Sequence, residues 1–203
     1  MRAPGRLSRR RERPPIRGDE DLSVLMVRAA DGDREAEAAF VARTVDDVWR
    51  YCAHLVGSGQ ADDATQATYL RALRSLGSFR GDSAPRTWLL GVARNTCLDE
   101  RRSLARRLRL VEKVVAQPPE ATTPGAAASL PDDVPVELAD ALAALSDDRR
   151  EAFVLTQLLG FPYEEAAAAV GCPVGTIRSR VARARADLLE LIQASDERTA
   201  GAG

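Results

Sequence analysis

Hydrophobic positions in this chain recur every three or four residues rather than every second one, the period of an α-helix and not of a strand. Leu22, Leu25 and Met26 predict a first short helix, ended near Asp31 and Gly32. Phe40, Val41, Val45, Val48, Trp49 and Leu55 predict a long helix over 33–56 with one buried stripe. Gly57-Ser58-Gly59 breaks the chain, and Ala64, Leu70 and Leu73 mark a third helix that ends near residue 76. The turn-rich loop LGSFRGDSAP follows. A fourth helix begins near Arg86, with Leu89, Val92, Ala93 and Thr96 on its core face, and runs to Arg107 or beyond. Trp88, beside Leu89 and Leu90, reads as core rather than as a base-stacking ring.

Residues 115–135 hold five of the eleven prolines and few side chains able to build a core, so they read as a tether. The helical pattern resumes near Val136, and Ser146 is placed to cap a helix that carries Asp147 and Asp148 in its first turn. The fold expected is therefore all-α: two small helical domains joined by a flexible linker. Residues 1–18 form a disordered basic tail, 19–105 the first domain, 106–135 the linker, 136–195 the second domain and 196–203 a polar tail.

The stretch 161–192, FPYEEAAAAVGCPVGTIRSRVARARADLLELI, carries the sharpest chemical signal. Tyr163 to Val170 predicts a short helix, with Glu164 and Glu165 where negative charge suits the helix dipole. Gly171 can take the left-handed conformation that ends helices, and Pro173 cannot continue one. A second helix then starts near Val174 or Gly175. Ile177, Val181, Ala184 and Leu188 fall on one stripe, Thr176, Ser179 and Arg183 on the opposite side, and Arg178, Arg180 and Arg185 on the flanks. Guanidinium forks match guanine edges and phosphate oxygens, so this face suits a DNA major groove. The competing reading is an amphipathic surface helix with solvated arginines.

Charge segregation keeps a polyanionic partner open despite a near-neutral total. The formal net charge is only −1, yet residues 1–18 carry seven arginines against one glutamate, and 101–113 carry five arginines and Lys113 against Glu112. Local patches, not the total, set the field a ligand meets. Cys52, Cys97 and Cys172 are far apart and match no metal spacing, so they read as reduced thiols of a cytoplasmic protein. His54, the single histidine, lacks partners for catalysis or metal binding and reads as a packing or surface residue. No cofactor, enzymatic centre or membrane insertion is expected: no apolar run approaches the ~20 residues of a span.

Two segments resemble one family. GCPVGTIRSRVARARADL resembles the C-terminal promoter-reading helix-turn-helix of extracytoplasmic-function (ECF) RNA polymerase sigma factors of the sigma-70 family, and ALSDDRREAFVLTQLLGFPYEEAA resembles the helices that lead into it. The segment 62–102, DDATQATYLRALRSLGSFRGDSAPRTWLLGVARNTCLDERR, resembles region 2 of the same family. Pro162 and Ala67 depart from the usual serine and acid. The resemblance implies an actinobacterial-type sigma factor that binds core polymerase, through the β′ clamp helices and the β flap, and directs initiation at promoter DNA. An anti-sigma factor is a further candidate partner.

By the same resemblance, Thr176, Arg178, Ser179, Arg180 and Arg183 would meet the −35 element. Arg80, Asp82, Ser83, Arg94, Asn95, Arg101 and Arg102 would meet the −10 element, whose bases leave the duplex stack on melting. For the loop residues among these, a plain surface loop stays an equal alternative. Asp63, Gln66 and Tyr69, with Arg71 and Arg74 nearby, would dock polymerase, against the alternative of an ordinary amphipathic helix. A one-component helix-turn-helix regulator is the alternative for the chain as a whole.

Overall fold

The computed structural model describes residues 19–79, 81–114 and 136–200, and among these every regular element is helical. The first bundle comprises α1 (Asp19–Ala30), α2 (Arg34–Val56), α3 (Ser58–Ser75), a 3-10 turn (Leu76–Ser78) and the long α4 (Pro85–Val114). Asp33 starts α2 by accepting the backbone N–H groups of Glu35 and Ala36 at 3.0 and 3.1 Å, the satisfaction of orphan donors that favours aspartate there. Arg28 closes over the same carboxylate at 2.8 Å and keeps it below the usual aspartate range, after the bond from Ala36. Helix α2 is the axis of the bundle. Its Phe40, Val48, Tyr51 and Cys52 are fully buried against Leu22 and Met26 of α1 and Leu89, Leu90 and Ala93 of α4. Burying each large apolar side chain of this set contributes about 1.5–3 kcal/mol.

The second bundle comprises α5 (Val136–Ala144), α6 (Asp147–Phe153), a π-helical turn (Val154–Leu158), α7 (Tyr163–Val170) and α8 (Val174–Ala200). Gly171 ends α7 at φ 75°, ψ 41°, in the left-handed region, and donates to the Ala167 carbonyl at 2.9 Å. Pro162 stands at the start of α7 with its carbonyl accepting from Ala166, so the helix begins without a capping hydroxyl. Ser146 holds the cap position of α6, but its side chain makes no cap bond; its backbone carbonyl accepts from Arg149 and Arg150 instead.

The helical periodicity of each half is matched by the structure, and two features exceed it. Helix α4 continues through residues 106–114, beyond the expected domain end at 105 and into the expected linker. Those residues, RRLRLVEKV, are mostly strong helix formers. Likewise α8 continues to Ala200, into the expected tail. The tail 1–18, the rest of the linker (115–135) and residues 201–203 lie outside the described residues.

The second feature is contact between the two halves. Leu155, Phe161, Ala166, Ala167, Ala169 and Val170 join the same buried cluster as Phe40, Leu89 and Leu90. Helix α7 lies against α4 closely enough that a Cβ built on Gly91 would stand 3.9 Å from the Ala169 carbonyl oxygen. The small side chains of α7 permit that approach. Leu142 and Leu145, with Ala184 and Leu188 of α8, form a second cluster.

Candidate nucleic-acid interface

Helix α8 is sorted by burial as its period requires. Ile177, Val181 and Ala184 are fully buried and Leu188 nearly so, while Arg178, Ser179 and Arg183 are exposed and Thr176 and Arg180 half-buried. The buried stripe packs on more than α7: its Leu188 end meets Leu142 and Leu145 around α5. Ser179 donates its hydroxyl to the Thr176 carbonyl at 2.9 Å. Arg178 lies 3.6 Å from Glu164 with both side chains largely exposed, a pair of little energetic weight. Arg180 is paired with Asp148 of α6, and Arg185 donates to the side-chain Oε1 of Gln157 at 2.6 Å. Arg183 has no ion pair or hydrogen bond with any described residue.

In the first bundle the loop after the 3-10 turn exposes Asp82 and half-buries Ser83, and Gly81 bends it at φ 76°. Arg80 lies outside the described residues. Trp88 is half-buried and packs edge-on to Phe79 at 5.5 Å between ring centroids, so it anchors the loop to α4. Asn95 and Arg102 are exposed on α4.

Arg94 and Arg101 point elsewhere. Arg94 donates to Glu151 of α6 at 2.8 and 3.4 Å, and Arg101 to Asp147 of α6 at 2.7 Å. Tyr51 shares the Glu151 carboxylate at 2.6 Å, and Thr87 donates to Glu165 of α7 at 2.8 Å. Helix α6 thus offers Asp147, Asp148 and Glu151 to three arginines, Arg101, Arg180 and Arg94, that are candidate DNA contacts. Burial, then the adjacent Glu151 charge, pushes the Tyr51 hydroxyl well above its ordinary value. Burial works to raise Asp147, but its bond from Arg101 and the charges of Arg101 and Arg150 hold it low. Burial works against the Arg94 cation, and Glu151 more than compensates. Beside this cluster His54 is 4% exposed. Burial, reinforced by the Arg150 charge and opposed by Asp147, pushes it down to about 3.

A separate apolar groove of about 440 Å³ opens between α2 and α3, lined by Val41, Val45, Trp49, Asp62, Thr65, Gln66, Tyr69, Leu70 and Leu73. Gln66 is exposed there. Tyr69 is buried in its floor, bonded to Thr44 at 2.7 Å, so it shapes the groove from below. Leu70, 52% exposed, stands over it, and Trp49 is fixed at its edge by donating to Asp62 at 2.7 Å. Asp63, Arg71 and Arg74 are exposed but outside the lining, and Arg71 is tied to Asp99 of α4 at 2.9 Å. Sequence reasoning missed Leu70 and Trp49 as groove residues. The available signal was a leucine on the same face as the polar Gln66.

No described helix is long and apolar enough to cross a membrane, and the described residues contain no cluster able to hold a metal ion.

A helix-turn-helix with an arginine-bearing second helix, packed on a four-helix bundle with its own basic helix, defines a two-module DNA-binding transcription protein. The known relatives make the class specific. Residues 40–107 match the family Sigma-70 region 2, and residues 136–188 match Sigma-70, region 4. The chain is similar to the ECF RNA polymerase sigma factor SigC of Mycobacterium tuberculosis, 45% identical over 171 residues, 84% of this chain and 91% of that one. It is also similar to the ECF RNA polymerase sigma-E factor of Escherichia coli K12, 35% identical over 80% of this chain and 89% of that one. Its fold is similar to that of the sigma factor RpoE of Bartonella quintana, solved with the anti-sigma factor NepR. That match has a TM-score of 0.61 and 32% identity, covering 75% of this chain and 94% of that one. CnrH, solved with the cytosolic domain of CnrY, matches with a TM-score of 0.62 and 28% identity over 84% and 96% of the two chains. The chain belongs to the ECF RNA polymerase sigma factors of the sigma-70 family. It is thus an RNA polymerase sigma factor that directs transcription initiation at promoter DNA.

Proposed function

We propose that the two modules divide promoter reading between them. Helix α8 enters the −35 major groove and contacts it through Thr176, Arg178, Ser179, Arg180 and Arg183. The 79–85 loop and α4 hold the melted −10 element through Asp82, Ser83, Arg94, Asn95, Arg101 and Arg102, with Arg80 retained on sequence grounds. The groove between α2 and α3 takes an apolar element of core polymerase, the β′ clamp helices. Gln66 and Leu70 stand at its opening, Tyr69 forms its floor, and Asp63, Arg71 and Arg74 lie nearby. The β flap would meet the second module. Residues 19–105 and 136–195 are the functional units, and the cytoplasm is where both polymerase and promoter are met. Nucleotide addition stays with polymerase.

The observation that carries this reading is the burial pattern of α8: a fully buried aliphatic stripe opposed by exposed Arg178, Ser179 and Arg183. Groove readout needs that division, because a helix must be held by one face and read with the other. DNA engagement also requires Arg94 and Arg101 to exchange the α6 carboxylates for phosphates or bases, so the halves separate on promoter binding, while Arg180 exchanges Asp148 within its own module. RpoE and CnrH were solved with NepR and the cytosolic domain of CnrY, so an anti-sigma factor is a candidate partner of this chain as well. Run-off transcription with purified core polymerase on a genomic promoter library tests the reading. Initiation from sites sharing −35 and −10 sequences is expected, and an absence of specific initiation would overturn it.

A further inference from the structure

The geometry points to a phosphate-binding arm at the far end of α4, made by Arg102, Arg106 and Arg109, that tracks the promoter DNA backbone beside the −10 contacts. The inference rests on the promoter-reading function proposed above and extends it to residues expected to be tether.

Helix α4 runs unbroken from Pro85 to Val114. At 3.6 residues per turn, Asn95, Arg102, Arg106 and Arg109 fall within an arc of about 60°. They therefore form one line along the helix, starting at the exposed amide proposed to read a −10 base. All four are exposed. Among the residues whose side chains are described, which on this helix exclude 108 and 110–114, Arg106 and Arg109 have no ion-pair or hydrogen-bond partner. Arg102 has a 3.5 Å contact with Asp99, itself shared with Arg71, and both partners of that contact are more than half exposed, so it is readily exchanged.

From Asn95 to Arg109 the line is about 21 Å long at 1.5 Å per residue. One strand of duplex DNA presents about six phosphates over that distance. Same-sign neighbours at i, i+4 (Arg102, Arg106) and i, i+3 (Arg106, Arg109) oppose the helix by a few tenths of a kcal/mol each in the free chain. A polyanion along the line reverses that term. Arginine also bonds phosphate with two parallel N–H groups, which a solvating surface does not need. Arg107, by contrast, points about 130° away from the line and is exposed as well, which makes it an internal control.

The test uses the full chain assembled with core polymerase on a promoter it initiates from. For Arg106→Ala with Arg109→Ala, promoter affinity is expected to fall, and the slope of log affinity against log salt to shrink by about 1.8 if both contacts are to duplex, or about 1.4 if to a single strand. Core affinity, sequence preference and helix content should be unchanged, since alanine keeps the helix. Arg107→Ala should leave the slope in place. An unchanged slope for the double variant, with the wild-type holoenzyme active, overturns the arm alone. An equal loss from Arg107→Ala overturns the line in favour of a diffuse charge effect. Altered cross-linking to the transcript with unchanged promoter affinity overturns it in favour of RNA. A wild-type holoenzyme that initiates nowhere overturns the arm together with the reading beneath it.

Discussion

Tyr51 donates its phenolic proton to Glu151 across 2.6 Å, joining two residues one hundred positions apart. Both are buried, and Arg94 closes on the same carboxylate. The pair ties the axis of the first bundle to the acidic helix of the second. Glu151→Gln keeps an acceptor for Tyr51 but leaves the half-buried Arg94 without its counter-charge, at a cost of about 2–4 kcal/mol. Urea denaturation should show a lower midpoint. The isolated chain should also bind −10 DNA more tightly by fluorescence anisotropy, because Arg94 is released. Unchanged stability would mean that the carboxylate contributes nothing to holding the halves together.

His54 gives the same region a pH dependence. Its folded-state value near 3 lies below the ordinary 6.5, so the unfolded chain takes a proton that the folded core refuses. The contribution of neutral His54 is fully present above about pH 6.5 and is lost as pH falls toward 3, at up to about 1.4 kcal/mol per pH unit. Asp147, held low, loses its own contribution only as pH falls below the ordinary aspartate range. Equilibrium unfolding from pH 7 to 4.5 should therefore decline in the wild type and stay flat in His54→Leu. Parallel curves would remove His54 as the source.

Among the described side chains of α8, Arg183 is the exposed guanidinium without a partner. Arg183→Ala should weaken −35 binding by about 1–3 kcal/mol and relax preference at one base pair if it reads a base. Binding to a library of single-base −35 variants measures both. A uniform loss across the library would make it a phosphate contact instead.

The groove between α2 and α3 should depend on its exposed rim more than on its floor. Gln66→Ala with Leu70→Glu is expected to cut core polymerase affinity by about tenfold or more, roughly 1.4 kcal/mol. Tyr69→Phe loses only the bond to Thr44 and should reduce stability before affinity. Core affinity unchanged in the rim variant would reject the groove as the docking surface.

What the amino-acid order made legible was local. The spacing of Ile177, Val181, Ala184 and Leu188 places their burial, and Gly171 before Cys172-Pro173 places the turn, because both follow from backbone period and steric limits acting over a few residues. Contacts between modules are a different matter. Nothing near Glu151 announces that Tyr51 and Arg94 are its partners, and an arginine looks the same in sequence whether it faces solvent or a carboxylate. Thus Arg94 and Arg101, candidate promoter contacts by resemblance, are paired within the protein. Tyr69 is a docking candidate by the same resemblance, while its downward direction depends on Thr44 of another helix. The end of α4 was left open past Arg107 for the opposite reason: the proline-rich tract is conspicuous, and the helix-forming residues before it are not.

Helix α4 contains thirty residues without a kink-forming proline after its first position, about 45 Å from end to end. Such a shaft carries no proline hinge between its two ends. A partner that grips the basic tip therefore sets the angle at which the opposite end presents the loop carrying Asp82, and the choice of one partner becomes a lever on the other.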